Sequence, residues 1–308
     1  MFKNLQLLPI KVLLPSIYLV ALFACTSKKA PVSPKQSHLT TSGYKMPSKV
    51  VFFNDTLHLQ DQDLKERLDR EILVNMYFQS STHLIIKRCT RYFPLIENIL
   101  KKEGVPDDFK YLCVIESNLS NATSPAGASG FWQFMPFTAP KYGLRITPEI
   151  DERLHVEKST RAACALIKSN YSLFKDWVNA CAAYNRGPGG LMEDLKFQHV
   201  KHFFDAEMNQ ETGRYVFRIM AMKMILENPN EFGFEVPQSE KYPIYITKKI
   251  TITEPIENLA QWSINQGYNR RIIRLLNPWI LGNKLTNKSL PCTIEIPNSN
   301  NQLKVFNP

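Results

Sequence analysis

Between about Asp61 and Glu227, apolar side chains recur at the three-and-four spacing of amphipathic helices, with Gly and Pro between the runs. The pattern predicts helices over 61–78, 80–102, 106–119, 157–174, 176–186 and 212–227. No Val/Ile-rich alternation interrupts them, so the fold class expected here is mainly α. At Pro243 the period changes. Ile244, Ile246, Ile250 and Ile252 alternate with polar residues, as in a strand. A helical stretch follows Pro255, a second runs to Leu276, and Cys292, Ile294 and Ile296 alternate again. This predicts a small β-α-α-β module over 242–298. Residues 26–55, rich in Ser, Thr, Pro and Lys and without a period, read as a tether, which leaves 56–238 to the helical domain. No internal repeat is visible.

The first 25 residues have a different character. Lys3 and Lys11 precede an apolar run from Val12 to Ala24, broken only by Pro15 and Ser16. That is the shape of a secretory signal peptide and is short for a membrane span. Leu22-Phe23-Ala24-Cys25 resembles the bacterial lipobox, which implies a lipid anchor on Cys25 as the first residue of the mature chain. Phe23 departs from the usual small or branched residue there, and the alternative is an uncleaved signal anchor. On either reading the remainder is exported.

Charge gains meaning from that address. The chain of 308 residues carries 38 Lys+Arg against 28 Asp+Glu, a formal +10. A balance of this kind first suggests nucleic acid. Lys3 and Lys11 leave with residues 1–25, and +8 remains. Outside the cell membrane the expected partner is an anionic envelope polymer and no nucleic acid. Cys89, Cys113, Cys164, Cys181 and Cys292 remain as well. Cys113, Cys164 and Cys181 fall among apolar helix positions, where a free thiol acts as a small hydrophobe. No disulfide framework is expected from so sparse a set.

Candidate chemistry begins at the segment from Val105 to Ser117. Pro106 suits a first helical position, and Asp107 and Asp108 complement the helix dipole. Val105, Phe109, Leu112 and Cys113 share one stripe, and Glu116 falls in its middle. Burial of a carboxyl raises its pKa, giving an acid still protonated near neutral pH, as a general acid must be. A Glu at a helix end can equally reach solvent or pair with an Arg, and the segment alone leaves both readings open. Ser120 to Gly130 follow as a small-residue loop able to approach a ligand closely. Phe131-Trp132-Gln133-Phe134-Met135-Pro136 then offer three aromatics around an amide, suited to an aromatic floor under a sugar or, alternatively, to a core cluster.

Taken in order, Glu116-Ser117, Gly130-Phe131-Trp132-Gln133-Phe134-Met135-Pro136, Ala182-Ala183-Tyr184-Asn185 and Gln210-Glu211-Thr212…Tyr215-Val216 resemble the motif set of the lytic murein transglycosylases, in the variant of their membrane-bound members. The similarity covers about residues 60–235, with Pro94-Leu95-Ile96-Glu97 as its lead-in. It implies a lysozyme-like helical catalytic domain. It further implies Glu116 as the single catalytic acid/base, with Ser117 bonding near it, Gln133 and Met135 lining the groove, Gln133 contacting the sugar, Tyr184 and Asn185 orienting substrate, and Tyr215 touching Glu116 or the sugar. Two of these have support in the pattern. Asn185 shares a stripe with Val178, Cys181 and Ala182, and Tyr215 with Ile219, Met222 and Leu226, although an ordinary core Tyr fits that stripe as well.

The reaction implied is cleavage of the MurNAc-β-1,4-GlcNAc bond of peptidoglycan with formation of 1,6-anhydroMurNAc ends, assisted by the MurNAc N-acetyl group. Glycosidases in general use two carboxylates. Here residues 117–148 contain no acidic side chain, which favours a one-acid scheme. The alternatives are a hydrolytic muramidase, with Asp151 or Glu152 folding back as a second carboxylate, and a non-catalytic murein-binding lipoprotein. No cofactor and no metal are expected. His199 and His202 lack further ligands at metal spacing and read as a polar helix face. The module at 242–298 weakly resembles a LysM glycan-binding module, through Ile256…Leu259-Ala260, Leu276-Asn277-Pro278 and Ile294-Glu295-Ile296-Pro297. Glu254-Pro255 replace the usual Gly-Asp entry, so a plain structural appendage is the alternative. The expected location is the cell envelope, at the periplasmic face, as an outer-membrane lipoprotein.

Overall fold

The computed structural model describes residues 44–298. The expected signal peptide, Cys25 and most of the expected tether lie outside the described residues. Two antiparallel strands open the described part, β1 (Lys49–Phe52) and β2 (Asp55–His58), paired from Lys49↔His58 to Phe52↔Asp55. This hairpin corrects the tether expectation over 49–55. Val50, Phe52 and Phe53 are buried in the same core as the helices. Strands of four residues between lysines and polar turns are too short to leave a readable period.

Seven helices follow: α1 (Gln62–Tyr77), α2 (Gln79–Glu103), α3 (Phe109–Ser117), α4 (Val156–Phe174), α5 (Trp177–Arg186), α6 (Pro188–Phe197) and α7 (Gln210–Glu227). Their ends carry the expected chemistry. Asp61 accepts from the Asp63 and Leu64 amides, Asp176 from Asn179 and Asn209 from Thr212, each satisfying an otherwise unpaired first-turn donor. Gly104 closes α2 at φ 68°, a left-handed position that suits a residue without a Cβ. α3 starts later than the sequence predicts. Pro106 to Asp108 form a turn, in which Asp108 accepts from the Phe53 amide and from Lys223, 2.8 Å away. Helix α6 was not expected, since its Pro-Gly-Gly start hides the Leu191/Leu195 pair that buries it. His199 and His202 lie past the end of α6, so the helix face expected for them is corrected to a loop.

α3 is the middle of the helical core: Phe109 to Val114 are all buried. α7 packs across α3, α1 and α5 with nine buried residues, and α4 covers α2 and α5. The run Ala180 to Ala183 is fully enclosed and lets α4 and α5 approach closely.

Beyond residue 242, β3 (Thr247–Ile252), α8 (Leu259–Asn265), α9 (Arg270–Leu276) and β4 (Cys292–Pro297) form the expected β-α-α-β module. β3 and β4 pair antiparallel, with Ile250 opposite Ile294 and Ile252 opposite Cys292. Ile244 and Ile246, expected in the first strand, precede it and are about half exposed. The module has its own core, and that core includes Ile150 from the helical domain, which is fully buried within it. Backbone bonds frame this contact, from the Asp151 amide to Trp279 O at 2.8 Å and from the Leu281 and Gly282 amides to Glu149 O. The Glu149 carboxylate accepts from the Thr286 amide, the Thr286 hydroxyl and the Ser289 hydroxyl. Those bonds, Ser289 first, hold its pKa down. The module is thus built onto the segment 145–158.

Candidate active site

Glu116 lies in the last turn of α3, after which Asn118 and Leu119 both adopt left-handed backbone and turn the chain sharply away. Its carboxyl is half-buried, and burial raises its pKa from 4.5 to about 7, against the opposing pull of a hydrogen bond from Tyr215 and the nearby charge of Arg218; Glu211 pushes it further up. The Tyr215 hydroxyl donates to Glu116 Oε1. Cys113, Cys181 and Tyr184 complete the surroundings. Each has its pKa raised first by burial and then by the charge of Glu116. A carboxyl enclosed by two thiols and two phenols has few dipoles to solvate its ionised form, which explains the direction of the shift. Glu116 is thus a half-buried carboxyl that bonds to Tyr215 and forms no ion pair with an Arg among the described residues.

The loop from Ser120 to Pro136 folds back on itself. Bridges join Thr123 to Ser129 and Ser129 to Phe134, and the Gly130 amide donates to Ala122 O at 3.0 Å. Trp132 is fully buried and donates to the Thr160 hydroxyl at 2.9 Å, which fastens the loop to α4. The Tyr184 hydroxyl donates to Trp132 O at 2.7 Å, fastening it to α5. Phe131, Trp132 and Phe134 are at most 2% exposed, so the aromatic floor expected there is corrected to the core alternative. The exposed ring of this region is Phe137, at 67%.

The structure brings the remaining candidates together only in part. Ser117 is buried and donates to Cys113 O at 3.2 Å within its own helix, not to Glu116. Gln133 sits at φ 47° with its Nε2 donating to Ala122 O and Gly130 O, which braces the loop and leaves Oε1 as the side-chain group not so engaged. Met135 is half-buried, and its carbonyl starts the short turn at 139–142. Asn185 donates to Glu211 Oε1 at 3.2 Å and accepts from the Thr212 hydroxyl at 2.9 Å, linking α5 to the start of α7.

Sequence reasoning missed Arg153. Its guanidinium pairs with Asp151 at 2.7 Å, both side chains being buried, and also donates to Gly127 O at 2.7 Å and Phe134 O at 3.0 Å. It therefore ties the loop beside Glu116 to the segment that carries the C-terminal module. Gly130 is the matching requirement. At φ 80° a Cβ there would stand 2.0 Å from Arg153 O. An Arg two residues from an Asp looks like a solvated pair in sequence, and only the fold places carbonyls around it.

Asp151 and Glu152 are both committed elsewhere. Asp151 pairs with Arg153, and Glu152 pairs with Arg145 and Lys158 at 2.8 and 2.6 Å. Neither is free to serve as a second carboxylate. A cavity of about 970 Å³ between Asn54, Glu97, Lys101 and Trp177 includes none of the groups around Glu116.

Comparison with known proteins agrees with this chemistry. Residues 93–205 match the transglycosylase SLT domain, and residues 248–300 match the soluble lytic transglycosylase C-terminal LysM-like domain. The first match ends before α7, so Tyr215 lies beyond it. The chain is 29% identical over 213 residues to the membrane-bound lytic murein transglycosylase D of Escherichia coli (strain K12), covering 67% of this chain and 46% of that protein. It is 32% identical over 125 residues to the putative tributyltin chloride resistance protein of Alteromonas sp. (strain M-1), covering 40% of this chain and 60% of that one. The chain thus spans about half the length of the curated relatives it matches.

Proposed function

We infer that this protein is a peptidoglycan lytic transglycosylase, proceeding from an SLT domain whose α3 holds one enclosed carboxyl. The observation that carries the reading is Glu116 itself, with a pKa near 7 and no free carboxylate from Asp151 or Glu152 to share its work. With its pKa raised to about 7, Glu116 keeps a protonated fraction at neutral pH that is able to donate. Its proton passes to the oxygen linking MurNAc C1 to GlcNAc, and the C1–O bond breaks. Ionised Glu116 then takes the proton of the C6 hydroxyl of the same MurNAc, whose oxygen bonds to C1. Atoms balance without water, and the product carries a 1,6-anhydroMurNAc end. Tyr215 stabilises the ionised state between the two steps, and Tyr184 holds the loop against α5. Within this reading Gln133, Met135, Ser117 and Asn185 shape the groove, Gln133 and Asn185 through the loop and helix contacts described above.

Digestion of purified murein followed by mass spectrometry tests this. Anhydro ends from the wild type and none from Glu116→Gln are expected, because an amide cannot cycle a proton. Ends heavier by one water as the main product would make the enzyme a hydrolase. Glu211, whose charge reaches Glu116, is the carboxylate to substitute in that case; under the lytic reading Glu211→Gln leaves the anhydro product unchanged. A site that acts on murein belongs in the cell envelope, and the Cys25 motif makes an outer-membrane lipoprotein our reading of its anchorage.

A further inference from the structure

A pocket of about 330 Å³ opens beside the Glu116 turn, lined by Phe78, Ser81, Asn118, Arg214 and Arg218 and floored by Glu71. That volume is at the small end of ligand pockets. Its two guanidiniums differ in their commitments. Arg214 grips the buried Glu71 carboxylate with two bonds, 2.7 and 3.0 Å long. Arg218, one turn further along α7, makes no hydrogen bond or ion pair among the described residues, though it is half-buried. A third guanidinium stands nearby, where Arg88 donates to Asn118 O at 2.9 Å. Glu71 balances Arg214, so the pocket keeps an unneutralised cation from Arg218. Arg218 also sits three residues beyond Tyr215, close enough for its charge to act on Glu116. A half-buried guanidinium with no hydrogen bond or ion pair among the described residues, in a pocket that Ile115 and Asn118 line on either side of Glu116 in the chain, is suited to a carboxylate brought by the ligand.

Resting on the lytic reading above, we propose that the Arg214/Arg218 pocket binds a carboxylate of the acidic substituent borne by the MurNAc that reacts at Glu116. The glycan backbone of murein is otherwise uncharged, so the negative groups within reach are those attached to the MurNAc lactyl arm. They have two sources. In a strand with its peptides the carboxylate belongs to the peptide, and in a peptide-stripped strand it is the lactyl carboxylate itself. Either would receive the planar donor pair of Arg218, while Ser81 and Asn118 offer hydrogen bonds and the exposed face of Phe78 offers apolar contact. Such a pocket makes the enzyme a reader of the substituent as well as a cutter of the sugar chain.

Binding to the inactive Glu116→Gln protein separates this idea from the catalytic one. The probes are defined GlcNAc–MurNAc oligomers with free peptide carboxylates, the same oligomers methyl-esterified, and peptide-stripped oligomers with a free or esterified lactyl group. One carboxylate-bearing form is expected to bind about tenfold more tightly than its own ester, the size of a single charge-assisted contact. Which pair shows the difference identifies the carboxylate. Adding Arg218→Gln should erase the difference, while Arg218→Lys should keep part of it. Equal affinity for acid and ester in both pairs overturns the proposal, as does a preference that survives Arg218→Gln. Cleavage is scored separately with the wild-type protein. Absence of anhydro product there removes the lytic reading and leaves the binding comparison intact.

Discussion

Replacing Glu116 by Gln should stabilise the protein, and by an amount that depends on pH. In the fold the carboxyl has a pKa of about 7 against 4.5 in its ordinary environment. Between those two values the native chain holds a proton that the unfolded chain has released, so native stability falls as pH rises through this window. The contribution is fully present below about pH 4.5 and gone above about pH 7. One pKa unit corresponds to about 1.4 kcal/mol, so ionising Glu116 inside the fold costs roughly 3 kcal/mol. Gln is close to isosteric, keeps an acceptor for the Tyr215 hydroxyl and never ionises. Urea unfolding of both proteins from pH 4.5 to pH 9 is the assay. The variant should gain little at the acid end and roughly 3 kcal/mol above pH 8, or about 5–10 °C in Tm. A difference that stays flat across that range, or that shrinks as pH rises, would refute the claim that burial holds the proton on Glu116.

Three other outcomes follow from the same geometry. Tyr215→Phe removes a bond that favours the ionised carboxylate, so the alkaline limb of the kcat/KM profile should move up by about one pH unit; an unmoved limb denies the bond that role. Arg153→Met leaves the buried Asp151 without its cation and should lose about 3–5 kcal/mol in urea unfolding, whereas loss below 1 kcal/mol would mean the pair is solvated. Glu149→Ala frees the Thr286 and Ser289 hydroxyls, and hydrogen exchange should then quicken both at 286–289 and at 145–154. Faster exchange confined to the first stretch would show that the module is not coupled to the segment beneath it.

Much of the helical body is legible from spacing alone, because α1, α2 and α4 each bury one stripe, while α5 and α7 are apolar nearly all round. Glu116 is legible for the same reason, as a lone carboxyl among Phe109, Leu112 and Cys113. What the pattern hides has physical causes. The β1–β2 hairpin is too short to show a period, and α6 begins on residues that normally end helices. Trp132 and its neighbours look like a sugar platform in sequence, but a ring is placed by what packs over it, and here α4 and α5 do. Arg153 and Arg218 are the hardest to foresee. The partners of Arg153 lie 19 and 26 residues away as backbone carbonyls. Arg218 is defined by making no hydrogen bond or ion pair among the described residues, which a sequence cannot display.

Ile150 lies in the middle of the C-terminal module's core although it belongs, by sequence, to the helical domain more than 90 residues upstream. The module therefore has no complete interior of its own, and a cut at residue 242 divides a core rather than a linker. Modules strung on flexible connectors explore a volume and can be lengthened, shuffled or transplanted without harm to either neighbour. This one has given up that freedom. The distance and angle between it and Glu116 are properties of side-chain packing, as fixed as those between two helices of one bundle. Lengthening the chain around 238–246 would leave its reach unchanged, and substitution at Ile150 would alter it.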